Sequence, residues 1–545
     1  MPQAKSSPRV RCGDVDQPLP GHPSRLLVLG EGVQSRPDRH CLQATTLLAY
    51  GWIQAMETID ELRTQAERRR QTRVRDEYSR RFGPIDEWAV EADESEWPTL
   101  ATVRDLQTAF RLADPSQALG LRHLLRFTIG ESLLRQTHIS SADLLHQQQS
   151  AVVEVPILDE PVPFWQVSSR LALERKRVLR EALENAATSV IQGFHQGRRQ
   201  VWSHLFTTVE ALGYPNLIAL WEELSGLRLE AFLQPLEAIL RETEDTYRDR
   251  MQWHLKRALG IHLEVAKRHD ILALFGWEET AGWFPRSELL PCLQQWLRDW
   301  GWQAEDHTNL RIEPRTEMAG GAWCAPLVIP ADIRLALAPA EGMRGYLQAF
   351  REAGKSLLLA SLPAAARREL RCFPDPSLLE GQAELCGGLI RTSRWVQIYR
   401  HIRQPEEGLN LAQLERLYLV RRYIGKCLYE RTFYEDSVLD GKEEAYRDAL
   451  RRACGFTYPE AYYLYDIDPG FGTFWNVRGW VFSAFIRHQL QQQYAEEWFR
   501  EPDALRALQE LWRQSPYRRL EALLEQVSGA PPYVDAVVAD LLGDL

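Results

Sequence analysis

Arg351, Glu352 and Lys355 stand at positions i, i+1 and i+4 of the segment Tyr346-Leu-Gln-Ala-Phe-Arg-Glu-Ala-Gly-Lys-Ser356, and Glu380-Gly-Gln-Ala-Glu384 begins twenty-five residues after Lys355. On a helix, positions i and i+4 share a face. Two imidazoles placed there can reach one Zn²⁺, with an acid beside them as general base. Here the two positions carry a guanidinium and an ammonium, and neither has a lone pair to give a metal. The chemistry left to them is ion pairing. A buried carboxylate without a partner is very costly, so Arg351 and Lys355 are predicted to pair with Glu380 and Glu384, the latter one turn beyond Glu380. The alternative is that both cations point to solvent from an ordinary amphipathic helix.

These residues need elements that hold them. Apolar spacing predicts a helix over 342–361 carrying Arg351 and Lys355, and another over 376–400 carrying Glu380. Just before them, Leu310-Arg-Ile-Glu, Cys324-Ala-Pro-Leu-Val-Ile and Ile333-Arg-Leu-Ala-Leu alternate or run apolar between Pro and Gly, which predicts a small sheet at about 310–339. The rest reads as helix. Segments are predicted at 41–81, 98–112, 116–136, 163–195, 197–212, 215–223, 228–259 and 261–274, and after the site at 409–430, 439–454, 458–464, 473–498, 503–513 and 517–527. No fixed-period repeat is visible. Residues 1–38 are rich in Pro and Gly without periodicity and are expected to be a flexible arm.

From about Ile261 onward the order of features resembles the thimet oligopeptidase and oligoendopeptidase F family of zinc metallopeptidases. Trp323-Cys-Ala-Pro-Leu-Val-Ile-Pro-Ala-Asp-Ile-Arg-Leu-Ala-Leu looks like that family's small sheet, and Gly342 to Lys355 looks like its site helix with R-E-A-G-K in place of H-E-x-G-H. Glu380-Gly-Gln-Ala stands where the family's third zinc ligand opens E-G-x-A. A late block, Asp468-Pro-Gly-Phe-Gly-Thr-Phe474, looks like the segment whose tyrosine hydroxyls help hold the oxyanion. The tyrosine positions read Phe471, Gly472 and Phe474, which keeps some ring volume and loses every hydroxyl.

The resemblance implies a mainly α fold of two helical lobes around a central channel, residues 39–260 and 261–545, with the sheet edge able to hold an extended peptide. It assigns Glu352 to the general-base position and Arg351, Lys355 and Glu380 to ligand positions that have lost their metal. The expected function is therefore that of a pseudo-metallopeptidase that binds a peptide or peptide-like ligand, or serves as accessory to a protein partner, with no cofactor. The alternative is an active oligopeptidase-type metallohydrolase that retains zinc, or an enzyme re-using the channel for other chemistry.

Composition sets the outer limits. At 545 residues, with a formal net charge of -10, the chain is long enough for a large core and too acidic on average for a general nucleic-acid binder. Its eight cysteines form no C-x-x-C pair, which argues against a disulfide framework or a cysteine zinc site. With no apolar h-region or membrane-length apolar run, a soluble, cytoplasmic protein without membrane contact is expected. His262 and His269 lie two helical turns apart, about 10 Å, too far to share a zinc bound at about 2 Å. They read as ordinary helix residues, as do His123, His254 and His488. Ser356 and Ser361 lack a nucleophile elbow, Gly387-Gly388 suits close helix packing, and the eighteen tryptophans are expected in the core.

Overall fold

In the computed structural model, the described residues are 39–82, 98–156, 160–276, 280–303, 306–316, 321–528 and 533–543. The expected arm over 1–38 lies outside them. Contacts divide the chain into Met1–Met56 and Glu57–Leu545. Of the first unit, only helical backbone from Arg39 is described, the start of the helix Arg39–Phe82.

Among its described residues, the second unit is mainly helical with one three-stranded and one two-stranded sheet. In the larger sheet, Asp332–Leu337 is central, parallel to Leu310–Pro314 and antiparallel to Ala322–Val328. Strand side chains alternate between faces, and both faces are covered. Cys324, Ile333, Leu335 and Leu337 join the main core beside the helix Gly342–Ser361. On the other face, Ala325 and Leu327 cluster with Tyr78 of the helix Arg39–Phe82. Arg70 of that helix donates to the carbonyls of Pro326 (2.8 Å) and Leu327 (3.3 Å).

Several predicted helices are interrupted, and in three of them buried polar groups take part in the break. The segment predicted over 163–195 is two helices, Val167–Leu173 and Arg177–Gly193. Arg180, 1% exposed, draws the carbonyls of Glu174 and Arg175 out of the helical ladder. The segment over 228–259 breaks at Thr243 into Leu229–Glu242 and Glu244–Leu259. There the buried Arg421 donates to Leu240 O and to the Thr243 hydroxyl. The segment over 376–400 becomes Pro376–Gly387, a tight turn at Gly388–Arg391 whose last carbonyl accepts from the buried Gln413 amide, and Ser393–Arg400. The segment over 261–274 is also broken, into a short 3-10 turn at Leu263–Val265 and the helix Arg268–Phe275 with extended backbone between, so His262, expected on a helix, lies outside one. The segment over 458–464 holds only a 3-10 turn, Glu460–Tyr463. Others differ in length: the segment predicted over 116–136 runs Pro115–Ser150, and that over 409–430 runs Glu406–Tyr434.

Six cysteines (292, 324, 372, 386, 427 and 454) are buried and unpaired. No helix of the described residues is long and apolar enough to cross a membrane.

Candidate functional site

Gly342–Ser361 is amphipathic at helical spacing. Tyr346, Ala349, Phe350, Ala353, Leu357 and Leu358 are buried along one side. Gln348, Arg351, Glu352 and Lys355, spaced by three and four, form a polar stripe. Pro376–Gly387 packs beside it. That helix starts on an Asp375 cap, whose carboxylate accepts from Ser377 N at 2.8 Å, with Pro376 in its first turn.

The close approach of these helices depends on glycine. A Cβ on Gly354 would lie 2.7 Å from Gln382 O, and one on Gly381 would lie 2.7 Å from Gly479 O on the helix Gly472–Tyr494. The glycine following each of Glu352 and Glu380 in the two sequence blocks thus sets the spacing of the elements that carry them. A Cβ on Gly387 would meet the Arg351 side chain itself at 2.3 Å.

Across this contact Arg351 binds two carboxylates. Its NH1 donates to Glu384 Oε2 at 2.6 Å and its NH2 to Glu380 Oε1. Lys355 Nζ donates to Glu352 Oε1 at 3.0 Å and lies 3.8 Å from Glu380 Oε2, an ion pair without a hydrogen bond. Arg351 and Lys355 retain 15% and 26% of their side-chain exposure. Glu352 also accepts from Cys324 N–H at 3.0 Å on Oε2 and from the Gln348 amide at 3.3 Å on Oε1.

Glu384 is the most heavily paired acid. Arg416 Nε donates to it at 3.2 Å and Arg391 NH1 lies 3.7 Å away, while Arg487 donates to its backbone carbonyl at 3.3 Å. Burial alone would raise its pKa, but Arg351, Arg416, Arg391 and Arg487 outweigh that and hold it below the ordinary carboxylate range. Arg416 and Arg487 also both bind Asp540, near the chain's end.

Reading the sequence placed Arg351, Glu352, Lys355, Glu380 and Glu384 in this region and missed Arg391, Arg416, Arg487 and Asp540. Arg391 lies just beyond the second block, in the tight turn that ends its helix, and the other three lie on segments remote in sequence that no local spacing marks. Phe471 and Phe474 sit elsewhere in the packing. Their rings pack on Tyr434 at 5.4 and 5.9 Å, and Phe474 also meets Trp221 and Phe232. Gly472 opens the next helix, where a Cβ would clash with the Asp468 carboxylate. Beneath this aromatic cluster lies Glu430, fully buried and accepting from Thr473 Oγ1 at 2.6 Å; burial pushes its pKa up to about 8.

The histidines are scattered. His262 pairs with the Gln252 side chain, buried His269 has Nδ1 3.1 Å from Asp270, and burial lowers His123 to about 3 and His254 to about 4. Among the described residues, no group of three or more His, Cys, Asp or Glu side chains is placed to hold a metal ion.

No protein-family model matches the chain, and a search of the curated proteins also finds no match. Solved structures do resemble it. A carboxypeptidase from Pyrococcus furiosus superposes with a TM-score of 0.57 at 13% identity, over 90% of this chain and 99% of that one. The fold is an oligopeptidase-like peptidase fold. An M32 carboxypeptidase from Deinococcus radiodurans R1 gives 0.54 at 14% identity, again over 90% and 99%. A protein of Bacillus anthracis str. Ames described as an oligoendopeptidase F gives 0.53 at 12%, over 83% and 78%. At such identities the likeness is one of fold.

The family resemblance of the sequence implies zinc, and the residues present do not fit it. The nitrogens at 351 and 355 are hydrogen-bond donors already committed to carboxylates.

Proposed function

We propose that this chain is a metal-free derivative of the peptidase fold that serves as a binding scaffold, with an ion-pair tie where its resemblance would place a zinc site. One observation carries the reading: Arg351 bridges Glu380 and Glu384 across the helix contact, as a metal would, while holding no site for one. The state of Glu352 supports it. A general base takes a proton from its water, and this carboxylate is tied by Lys355, Gln348 and Cys324 N–H, with the Lys355 ammonium disfavouring its protonation.

The mode of peptide binding suggested by the resemblance meets an obstacle at the sheet edge. On Ala322–Val328, Cys324 N–H is taken by Glu352 and the carbonyls of Pro326 and Leu327 by Arg70. Pro326 has no N–H to offer an added strand. A peptide adding to this edge would have to displace Glu352 and Arg70.

Zinc analysis of protein purified without added metal tests the proposal, with far less than one equivalent expected and a stoichiometric, tightly held zinc overturning it. The double change Arg351→His with Lys355→His should create zinc affinity, since it sets two imidazoles at i and i+4 opposite Glu380. A folded double variant that takes up no zinc counts against that placement of Glu380.

A further inference from the structure

The helix Tyr533–Leu542 packs against Leu229–Glu242, Glu406–Tyr434 and Gly472–Tyr494. It inserts Ala536, Val537 and Leu541, each under 7% exposed, beside one charged group, Asp540. That residue is recognised at three points. Arg487 NH1 donates to its carboxylate at 2.7 Å, Arg416 NH2 donates to the other carboxylate oxygen, and Arg416 NH1 donates to its backbone carbonyl at 3.1 Å. The carboxylate is 6% exposed. Burial raises its pKa, and the two guanidiniums more than reverse that.

Two features of the surroundings extend beyond this one short helix. An apolar cavity of about 190 Å³, lined by Leu227, Phe232, Pro235, Leu520 and Leu524, adjoins the seat. It shares Leu236, Ile239 and Val481 with the walls around Asp540 and Leu541. The second feature is charge. Arg351, Lys355, Arg391, Arg416 and Arg487 face Glu352, Glu380, Glu384 and Asp540, five cations to four acids. Withdrawing Asp540 would leave Arg416 its pair with Glu384 and take away the carboxylate that Arg487 binds, so the groove favours a carboxylate from whatever fills it. A helix of ten residues has little stability of its own, and this one is separate from the helix Leu520–Ser528.

We infer that this groove is a docking site for an acidic amphipathic helix of a partner protein, and that the chain's own C-terminal helix holds it in cis. The partner helix presents two adjacent apolar residues followed, three and four positions after the second, by a carboxylate and a further apolar residue, as Ala536-Val537 and Asp540-Leu541 do. The carboxylate takes Arg416 and Arg487, and apolar side chains beyond those of the cis helix enter the adjoining cavity. The inference rests on the reading of the chain as a binding scaffold, and zinc analysis tests that reading independently of peptide binding to the groove.

The experiment uses the full chain and two labelled peptides: residues 533–545 of this sequence, and an unrelated acidic amphipathic helix with the same apolar and carboxylate spacing. In the chain, Asp540→Lys sets an ammonium against Arg416 and Arg487 and should expel the cis helix, so residues 533–543 lose hydrogen-exchange protection. Both peptides should then bind about tenfold or more tighter than to the unaltered chain, and either peptide with its carboxylate residue replaced by Lys should not bind. Equal affinity for the altered and unaltered chains overturns the inference. So does binding of the chain's own peptide alone, which would make the groove only that helix's seat. Should Asp540→Lys fail to fold, Asp540→Asn replaces it, with a smaller gain of the same sign expected and no gain overturning the inference.

Discussion

Arg351 and Lys355 look equivalent in sequence and are not so in energy. Arg351 spans two acids from a largely buried position, whereas Lys355 is more exposed and hydrogen-bonds only Glu352. Removing one partner of a buried pair costs roughly 3 kcal/mol or more, while partly exposed pairs contribute about 1 kcal/mol or less. Arg351→Ala should therefore lower unfolding stability by about 3 kcal/mol and Lys355→Ala by at most about 1 kcal/mol, read from denaturant midpoints; equal losses would contradict the geometry. Two classes of acid give opposite pH dependences. Glu384 and Asp540 have lowered values, so their stabilisation is present at neutral pH and is lost as acid protonates them. Glu430 is raised to about 8, so its contribution is complete below its unfolded value near ~4.3 and declines as pH rises through about 8. Glu430→Gln should remove that decline, giving a flatter stability profile between about pH 5 and 8 and a gain at the upper end.

At the scale of elements, the two site blocks owe their meaning to helix spacing. Gly354, Gly381 and Gly479 permit backbone approach that any Cβ would oppose; a Cβ on Gly479 would lie 2.6 Å from Ser377 O. Gly354→Ala, whose Cβ would lie 2.7 Å from Gln382 O, should cost about 1–3 kcal/mol through overpacking, and by separating the helices that Arg351 joins it should also weaken the Arg351 bridge. A double-mutant cycle with Arg351→Ala checks this, with clear non-additivity expected. The glycines beside Glu352 and Glu380 were visible as motif letters. Their packing role was not, because the facing backbone belongs to other helices, at Gln382 for Gly354 and at Gly479 for Gly381. The interrupted helices teach the same lesson. Periodicity marked 163–195 and 228–259 as continuous, and apolar spacing does continue through both. The breaks occur where Arg180 and Arg421, buried by the fold, claim main-chain carbonyls, a competition invisible to any local window.

For the whole molecule, Glu57–Leu545 forms one compact unit. Ties run across residue 260: Arg421 to Glu244, Arg198 to Leu464 O, and His195 Nε2 to Ala461 O at 2.8 Å. Far-UV circular dichroism and tryptophan fluorescence should therefore report coincident unfolding, while separated transitions would show that the parts before and after residue 260 melt independently.

The amino-acid sequence by itself determined the mainly helical class, the small sheet ahead of the site helix, and the two cations standing where metal-binding imidazoles could stand. Those features are local, set by apolar periodicity and by residue type at fixed spacing. Only the tertiary structure decided that Arg351 rather than Lys355 spans the two glutamates, that Arg391, Arg416 and Arg487 converge on Glu384, and that Asp540 completes the cluster from the end of the chain. Ion pairs form between side chains that packing brings within a few ångströms, and chain separation leaves no trace of that proximity in the order of the residues.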